Sequence, residues 1–178
     1  PKVGDIVEIP ETFSEYQNKN TDSSTLQLQL ESKSKKYIYI RKDGKVVGSH
    51  QGAHYFTKGQ RKGLGVGGTT EPLFVIDTDV NENIIYVGLG KNHPGLYRHG
   101  LLIQLDEIHW IRPDLKINNG ESLAVMSRIR YRQKLEKATI YQTGLGLYVI
   151  FENLQSAITE GQFVAWYIKD ELIGSGVI

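Results

Sequence analysis

Cysteine is absent from this sequence, which excludes a disulfide framework, a thiolate metal site and a cysteine nucleophile from the chain itself. Long apolar runs are missing too. No stretch approaches the roughly 18 to 20 residues that span a bilayer, and the amino-terminal PKVGDIVEIP has neither the charged nor the apolar region of a signal peptide. Net charge is close to nil at +1, so contact with a polyanion has to come from the arrangement of charges and not from their sum. Helical periodicity sustained over ten or more residues is scarce. An initiator methionine is also lacking, the chain starting at Pro1. The expectation is a piece of a longer, cytoplasmic protein with no membrane contact.

What is present is a globular composition of 178 residues, 39% apolar and 23% charged, enough for one or two ordinary cores. Period-two patterning dominates. Residues 5–9 read as a strand, and 10–36 as a polar insertion containing the alternating run LQLQL, a mobile segment or a hairpin. Residues 37–41 alternate like a strand, Asp43-Gly44 marks a tight turn into KVVG, and 52–59 hold one short helical turn. A hairpin follows at 73–77 and 84–89, then strands at 101–105 and 108–111. The stretch IRPDLKINNG reads as a linker, placing a boundary that gives domains 1–117 and 118–178. Beyond it, segments 122–132, 138–142, 147–151, 163–168 and 171–177 are five short antiparallel strands, with Gly174 and Gly176 relieving crowding at a bend. The expected fold is mainly β, a small β-rich domain followed by an antiparallel β-barrel.

Two motifs carry charge. Thr57 to Gly68, TKGQRKGLGVGG, joins Lys58, Arg61 and Lys62 to five glycines within twelve residues, a combination that brings backbone amides and positive charge together and suits a polyanion. Gly63, Gly65 and Gly68 approach the spacing GxGxxG, but Gly67 turns it into GxGxGG, and Pro72 with LFVID follows where a nucleotide-binding unit needs a helix. The plainer reading is a glycine-rich connector with solvated lysines. In 122–132, one strand face carries Leu123, Val125, Ser127, Ile129 and Tyr131, the other Ala124, Met126, Arg128, Arg130 and Arg132. Alternate residues of a strand stand about 7 Å apart, near the spacing of successive phosphates. Lys134 and Lys137 extend the stripe, while Tyr131 and Gln133 offer stacking and hydrogen bonds to unpaired bases. The competing reading is a solvated edge whose charges discourage aggregation. Downstream, the turn ITEGQ displays Gln162.

Other constellations are weaker. His50 and His54 lack further zinc ligands, and Asp77, Asp79 and Asn81 begin a calcium loop that Glu82 and Gly88 interrupt. His93-Pro94-Gly95 reads as a turn, and His99 and His109 have no partners for a triad. No catalytic or metal-binding residue is assigned.

The segments YFTKGQRKGLGVGG, RIRYRQ, AITEGQFVAWY and LIGSGVI, in this order, resemble the central and carboxy-terminal domains of the MnmA family, the bacterial tRNA-specific 2-thiouridylases. The likeness covers 43–178, and GDIVEI near the start also fits; the polar insertion departs from the family's shorter connection. The resemblance implies a three-part enzyme whose nucleotide-binding domain is not in this chain. In that family ATP adenylates the C2 oxygen of the wobble uridine, and a persulfide sulfur on a catalytic cysteine then replaces it, with a second cysteine assisting. Both cysteines and the ATP loop lie upstream, so this chain is expected to hold no cofactor and to be inactive alone. By motif, Arg130, Tyr131 and Gln162 resemble tRNA-contacting positions, with Arg128 and Arg132 adding positive field. The motif's proline is replaced in Thr159-Glu160-Gly161-Gln162. The resemblance makes Gln60, Arg61, Lys62 and Gly63 a loop that shapes the tRNA or active-site side. In a regular strand Tyr131 faces away from Arg130, so joint contact requires a bulge or a strand end. The implied partners are tRNA and, through the whole enzyme, a sulfur-donor protein. The alternative class is a noncatalytic protein-interaction module that uses the insertion and exposed sheet edges. A phosphate-ligand enzyme would need a general base and pocket that the sequence does not assemble.

Overall fold

The computed structural model describes residues 3–17 and 25–178. Eleven strands are present among them: β1 Gly4–Glu8, β2 Lys45–His50, β3 Leu73–Asp79, β4 Ile84–Leu89, β5 Tyr97–Gln104, β6 Ile108–Trp110, β7 Ser122–Arg128, β8 Glu136–Gln142, β9 Gly146–Ser156, β10 Phe163–Ile168 and β11 Glu171–Val177. Helices α1 Ser14–Gln17 and α2 Leu26–Ser34 lie in the polar insertion, whose residues 18–24 fall outside the described part. By contacts the chain forms two compact units, one with residues 3–17 and 36–97, the other with 25–35 and 98–178. The placement of β5 and β6 differs from the boundary expected at 117, because both hydrogen-bond into the sheet of the second unit. No helix among the described residues is long and apolar enough to cross a membrane.

In the first unit the strand order is β2-β1-β4-β3, with β1 parallel to β4 and the other pairs antiparallel. The sequence of β4, IIYVGL, is almost continuously apolar, as a strand covered on both faces must be. Ile84 and Tyr86 pack with Val7, Tyr16, Tyr39 and Leu96 on one face. Ile85 and Val87 pack with Ile6, Leu64 and Val75 on the other. Residues 37–40 show the expected alternation, with Tyr39 buried and Ile38 and Ile40 exposed, but they form no ladder. Tyr39 is held instead by its hydroxyl, 2.6 Å from that of buried Tyr16.

The LQLQL run, expected as part of a mobile segment or a hairpin, is helical. Leu, Gln, Glu and Lys are straight-chain helix formers without β-branching. Thr25 caps the helix by accepting the Leu28 N–H at 3.4 Å, and Gln27 bonds Glu31 one turn later at 2.8 Å. Helical geometry scatters the leucines: Leu30 is buried, while Leu26 and Leu28 are exposed.

The second unit is a seven-stranded sheet in the order β5-β9-β8-β7-β10-β11-β6. Its edge strands β5 and β6 are separated by only Leu105–Glu107. Six strand spacings laid flat measure about 29 Å, whereas so short a link reaches about 14 Å. The sheet therefore curls into a barrel around Leu101, Ile103, Ile140, Val149, Phe151, Trp166 and Ile173. The two glycines of LIGSGVI do more than ease a bend. A Cβ on Gly174 would stand 2.4 Å from the Trp166 ring, and one on Gly176 2.7 Å from Ile103 of the opposite edge strand.

His93 is a core residue of the first unit, not merely part of a turn. It is 3% exposed, its Nε2 lies 2.9 Å from the Ile9 carbonyl, and its Nδ1 accepts the Gly95 N–H at 3.1 Å. Desolvation lowers its pKa below the ordinary 6.5, an effect only partly offset by the Ile9 carbonyl, Glu11 and Glu8. The unfolded chain takes up this proton more readily than the folded one. Stability from neutral His93 is thus full above about pH 6.5 and is lost as the pH falls through the folded value. Urea midpoints followed by tyrosine near-UV dichroism should decline from pH 7.5 to 5, and less steeply in His93→Gln; parallel profiles would remove His93 as the cause. Gly174→Ala should lower barrel stability by about 1–3 kcal/mol, read by tryptophan emission during unfolding, and an unchanged midpoint would contradict the packing argument.

Candidate nucleic-acid interface

Strand β7 obeys its alternation up to Ile129, burying Val125, Ser127 and Ile129 and turning Ala124, Met126 and Arg128 outward. Ladder pairing then stops at Arg128, and the Gln133 N–H closes a turn onto the Arg130 carbonyl at 3.0 Å. The expected even stripe of arginines is accordingly not formed. The strand end does what a regular strand could not: Tyr131 swings outward and is 86% exposed. Gln133, expected to face bases, is occupied internally. Its Oε1 accepts the Ile129 N–H at 3.0 Å and its Nε2 meets buried Gln155 at 2.5 Å. The chain leaves its ladder at Ile129, and a buried N–H there needs a partner.

Arg128 lies between two tyrosines. Its guanidinium carbon is 5.3 Å from the Tyr131 ring centroid and 5.4 Å from that of Tyr167. Nη1 donates to the Tyr131 carbonyl at 2.9 Å and Nη2 to the Tyr167 hydroxyl at 3.1 Å. Arg130 turns the other way, its Nη2 donating to the carbonyls of Ser156 and Ala157 at 2.8 and 3.0 Å. The Ala157 carbonyl also accepts the Thr159 hydroxyl at 2.9 Å, and the Thr159 N–H donates to Gln162 Oε1 at 3.2 Å. A chain of hydrogen bonds therefore joins Arg130 to Gln162, two positions far apart in sequence. Gly161, at φ +83°, makes the turn that proline would otherwise stiffen, and the turn is stitched to Ile178 through the Gly161 N–H and the Gln162 carbonyl. Arg132 and Lys134 are exposed. Lys137 lies on β8, opposite Met126.

Two aromatic residues join this group that motif reasoning passes over. Phe163, 68% exposed, and Tyr167 occupy the outward positions of β10, alternating with buried Val164 and Trp166. Ala165 pairs with Arg128, the last ladder position of β7, and Tyr167 with Met126. The alternation in FVAWYI was the available signal.

The glycine-rich loop belongs to the first unit. It is stitched to β3 by the Gly59 N–H to the Val75 carbonyl at 2.7 Å and the Val75 N–H to the Gln60 carbonyl at 2.9 Å. The Gln60 side chain clamps the turn, accepting the Thr57 N–H at 3.2 Å and donating to the Lys62 carbonyl at 2.8 Å. Lys58 pairs with Asp77 at 3.3 Å, both side chains about 15% exposed. Arg61 and Lys62 remain exposed beside a cleft of about 460 Å³ lined by Arg61, Gly63, Leu64, Gly65 and Glu71. Gly63 and Gly65 adopt φ of +86° and +67°. The loop runs from a turn to a strand, as the sequence suggests.

The metal-like patterns have local explanations. His50 Nε2 stands 3.1 Å from the Asn83 carbonyl, and its Nδ1 accepts the Gly52 N–H at 2.9 Å. Asp79 Oδ1 accepts the N–H groups of Asn81 and Glu82, both at 3.0 Å, and so shapes the β3–β4 turn. Among the described residues no three His, Asp or Glu side chains are grouped to hold a metal.

The two hydrogen bonds that Arg130 donates to the Ser156 and Ala157 carbonyls give it a structural share in the site. Arg130→Ala should lower the stability of the second unit by about 1 kcal/mol, whereas Arg132→Ala should stay within about 0.5 kcal/mol. Equal midpoints for the two variants in urea would refute the distinction.

The profile of the tRNA methyl transferase PRC-barrel domain matches residues 23–89, and that of the aminomethyltransferase beta-barrel domain matches 101–178. Among curated relatives, the tRNA-specific 2-thiouridylase MnmA of Christiangramia forsetii is 60% identical over 177 residues, 99% of this chain. That of Flavobacterium johnsoniae is 56% identical over 178 residues, all of this chain. The Bacillus subtilis enzyme is 42% identical over 137 residues, 76% of this chain and 36% of its own length. The chain spans about 45% of the length of the first two relatives. With both profiles matched in order and this identity along its whole length, the chain belongs to the tRNA-specific 2-thiouridylase (MnmA) family and holds its central and carboxy-terminal domains.

Proposed function

We propose that this chain is the tRNA-binding portion of a tRNA-uridine 2-sulfurtransferase. The observation that carries the proposal is Tyr131, exposed at a strand end with the Arg128 guanidinium against its ring. A large aromatic face open to solvent and backed by a cation suits an unstacked base. Exposed Arg132, and Arg130 through the guanidinium nitrogens that do not hold the Ser156 and Ala157 carbonyls, supply charge-assisted bonds to phosphate in this reading. Gln162, tied to Arg130 through Ala157 and Thr159, sets the adjoining turn. In the first unit, Arg61 and Lys62 supply a second cationic surface on a backbone that glycine lets approach closely.

The chemistry belongs to the rest of the enzyme. ATP activates the C2 oxygen of the wobble uridine there, and a persulfide sulfur received from a donor protein replaces it. A chain without cysteine carries no persulfide of its own. This chain's task is to dock cytoplasmic tRNA, and alone it is inactive.

Binding of unmodified tRNA across a salt series tests the reading. About four phosphate contacts give a slope of log affinity against log salt near −3 for single-stranded elements. Tyr131→Ala should weaken binding about tenfold without altering the fold, since the ring is exposed. Salt-independent binding, or an unweakened Tyr131→Ala variant, would favour a protein-interaction module.

A further inference from the structure

The outer face of the barrel holds a trough that none of the motifs identifies. Cross-strand register places Met126 between Tyr167 and Lys137, and Ala124 opposite Thr139, itself opposite Ile150. Small Ala124 and Thr139 leave the middle of this face hollow, and Tyr141 and Tyr167 border it. Helix α2 forms part of the rim through Lys33. The helix is fixed there by buried Leu30, by Gln27 Nε2 at 3.3 Å from the Tyr148 hydroxyl, and by Arg98 Nη1 donating to the Ser34 carbonyl at 3.0 Å. The polar insertion thus shapes a specific surface of the second unit. The trough measures about 690 Å³, within the roughly 300–1,000 Å³ of small-ligand sites.

Its charge is one-sided. Lys33, Lys137 and Lys169 stand on the rim against the single acid Glu152, and none of the three lysines has an ion pair among the described residues. An apolar and aromatic floor with a cationic rim fits a ligand that is flat and apolar in one part and anionic in another. An unpaired nucleotide has that division. An acidic apolar peptide shares it in part, but continuity favours RNA: Tyr167 borders the trough and also holds Arg128, which reaches Tyr131.

We propose that this trough is a second RNA subsite, taking one unpaired nucleotide with its base on Met126, Ile150 and Tyr167 and its phosphates at Lys137 and Lys169. The inference rests on the tRNA-binding reading above and adds to it a place where the strand continues beyond Tyr131. Lys33 makes the insertion helix a participant in that contact.

The test uses the whole chain, unmodified tRNA and a short 4-thiouridine-substituted oligouridylate for photocrosslinking. Crosslinks are expected in the peptides holding Met126 or Tyr167, and Ala124→Trp, which fills the hollow, should abolish them. A Lys137→Gln, Lys169→Gln variant, altered only at exposed positions, should bind tRNA about tenfold more weakly with a salt slope smaller by about 1.4. Crosslinks confined to the Tyr131 turn, with tRNA affinity unchanged in the lysine variant, would overturn the subsite and leave tRNA binding standing. Absence of any tRNA binding by the parent chain at low salt would overturn both. Protection of the trough by an acidic apolar peptide but not by the oligouridylate would make it a protein-docking surface and overturn the subsite as well.

Discussion

Closure of the seven-stranded sheet is the constraint on which the second unit depends. Two strands adjacent in the chain, β5 and β6, form its opposite edges, so the sheet has to bend until those edges approach. Trp166 pairs directly with Gly174 across the β10–β11 ladder, bending brings Ile103 of the edge strand against Gly176, and only glycine at 174 and 176 leaves room. The interior is thereby committed to apolar packing. Everything polar or aromatic at the alternate positions faces outward, where Arg128, Tyr167, Lys137 and Phe163 share one side of the wall.

The candidate site arises where this wall ends. A barrel strand that loses its partner leaves backbone groups to be satisfied by side chains, and at the end of β7 three of them do so. Gln133 serves the Ile129 N–H, Arg130 the carbonyls of Ser156 and Ala157, and Gln162 the Thr159 N–H. Those bonds hold the turn in one shape, which in turn holds Tyr131 away from the core. Rigidity of the polar residues and exposure of the aromatic one are two aspects of a single arrangement.

Charge is organised in the same way. A net charge of +1 conceals a sorting of cations by the fold. Lys58 is neutralised by Asp77, Arg41 by Asp5, and Arg112 by Asp114 and Glu171. Arg61, Lys62, Arg132, Lys137 and Lys169 remain exposed, in two patches of which one lies in each unit. A nearly neutral protein can bind a polyanion through such local excess, because attraction falls off within a Debye length of about 8–10 Å.

Much of this was legible in the residues themselves. Period-two patterning located ten of the eleven strands to within a few residues and with them the mainly β class, while the resemblance of the ordered motifs, separately, pointed to the family. Strand sequence carries that information because the pleat forces alternate side chains to opposite faces. The LQLQL run misled because alternation of two straight-chain residue types is equally compatible with a helix, and a capping threonine and Leu30 packing decided between them. Other features depended on non-local pairing. The parallel register of β1 with β4, the enrolment of β5 and β6 in the barrel, and the burial of His93 under Ile9 each join segments whose relation no local pattern encodes. So it is with the site: residue types at 128–132 and 162 announced cation and amide chemistry, but which carbonyls each arginine serves and which aromatic faces solvent followed from where β7 stopped pairing. A strand ends where its ladder pairing ends, and the partners of that ladder are chosen by the tertiary structure.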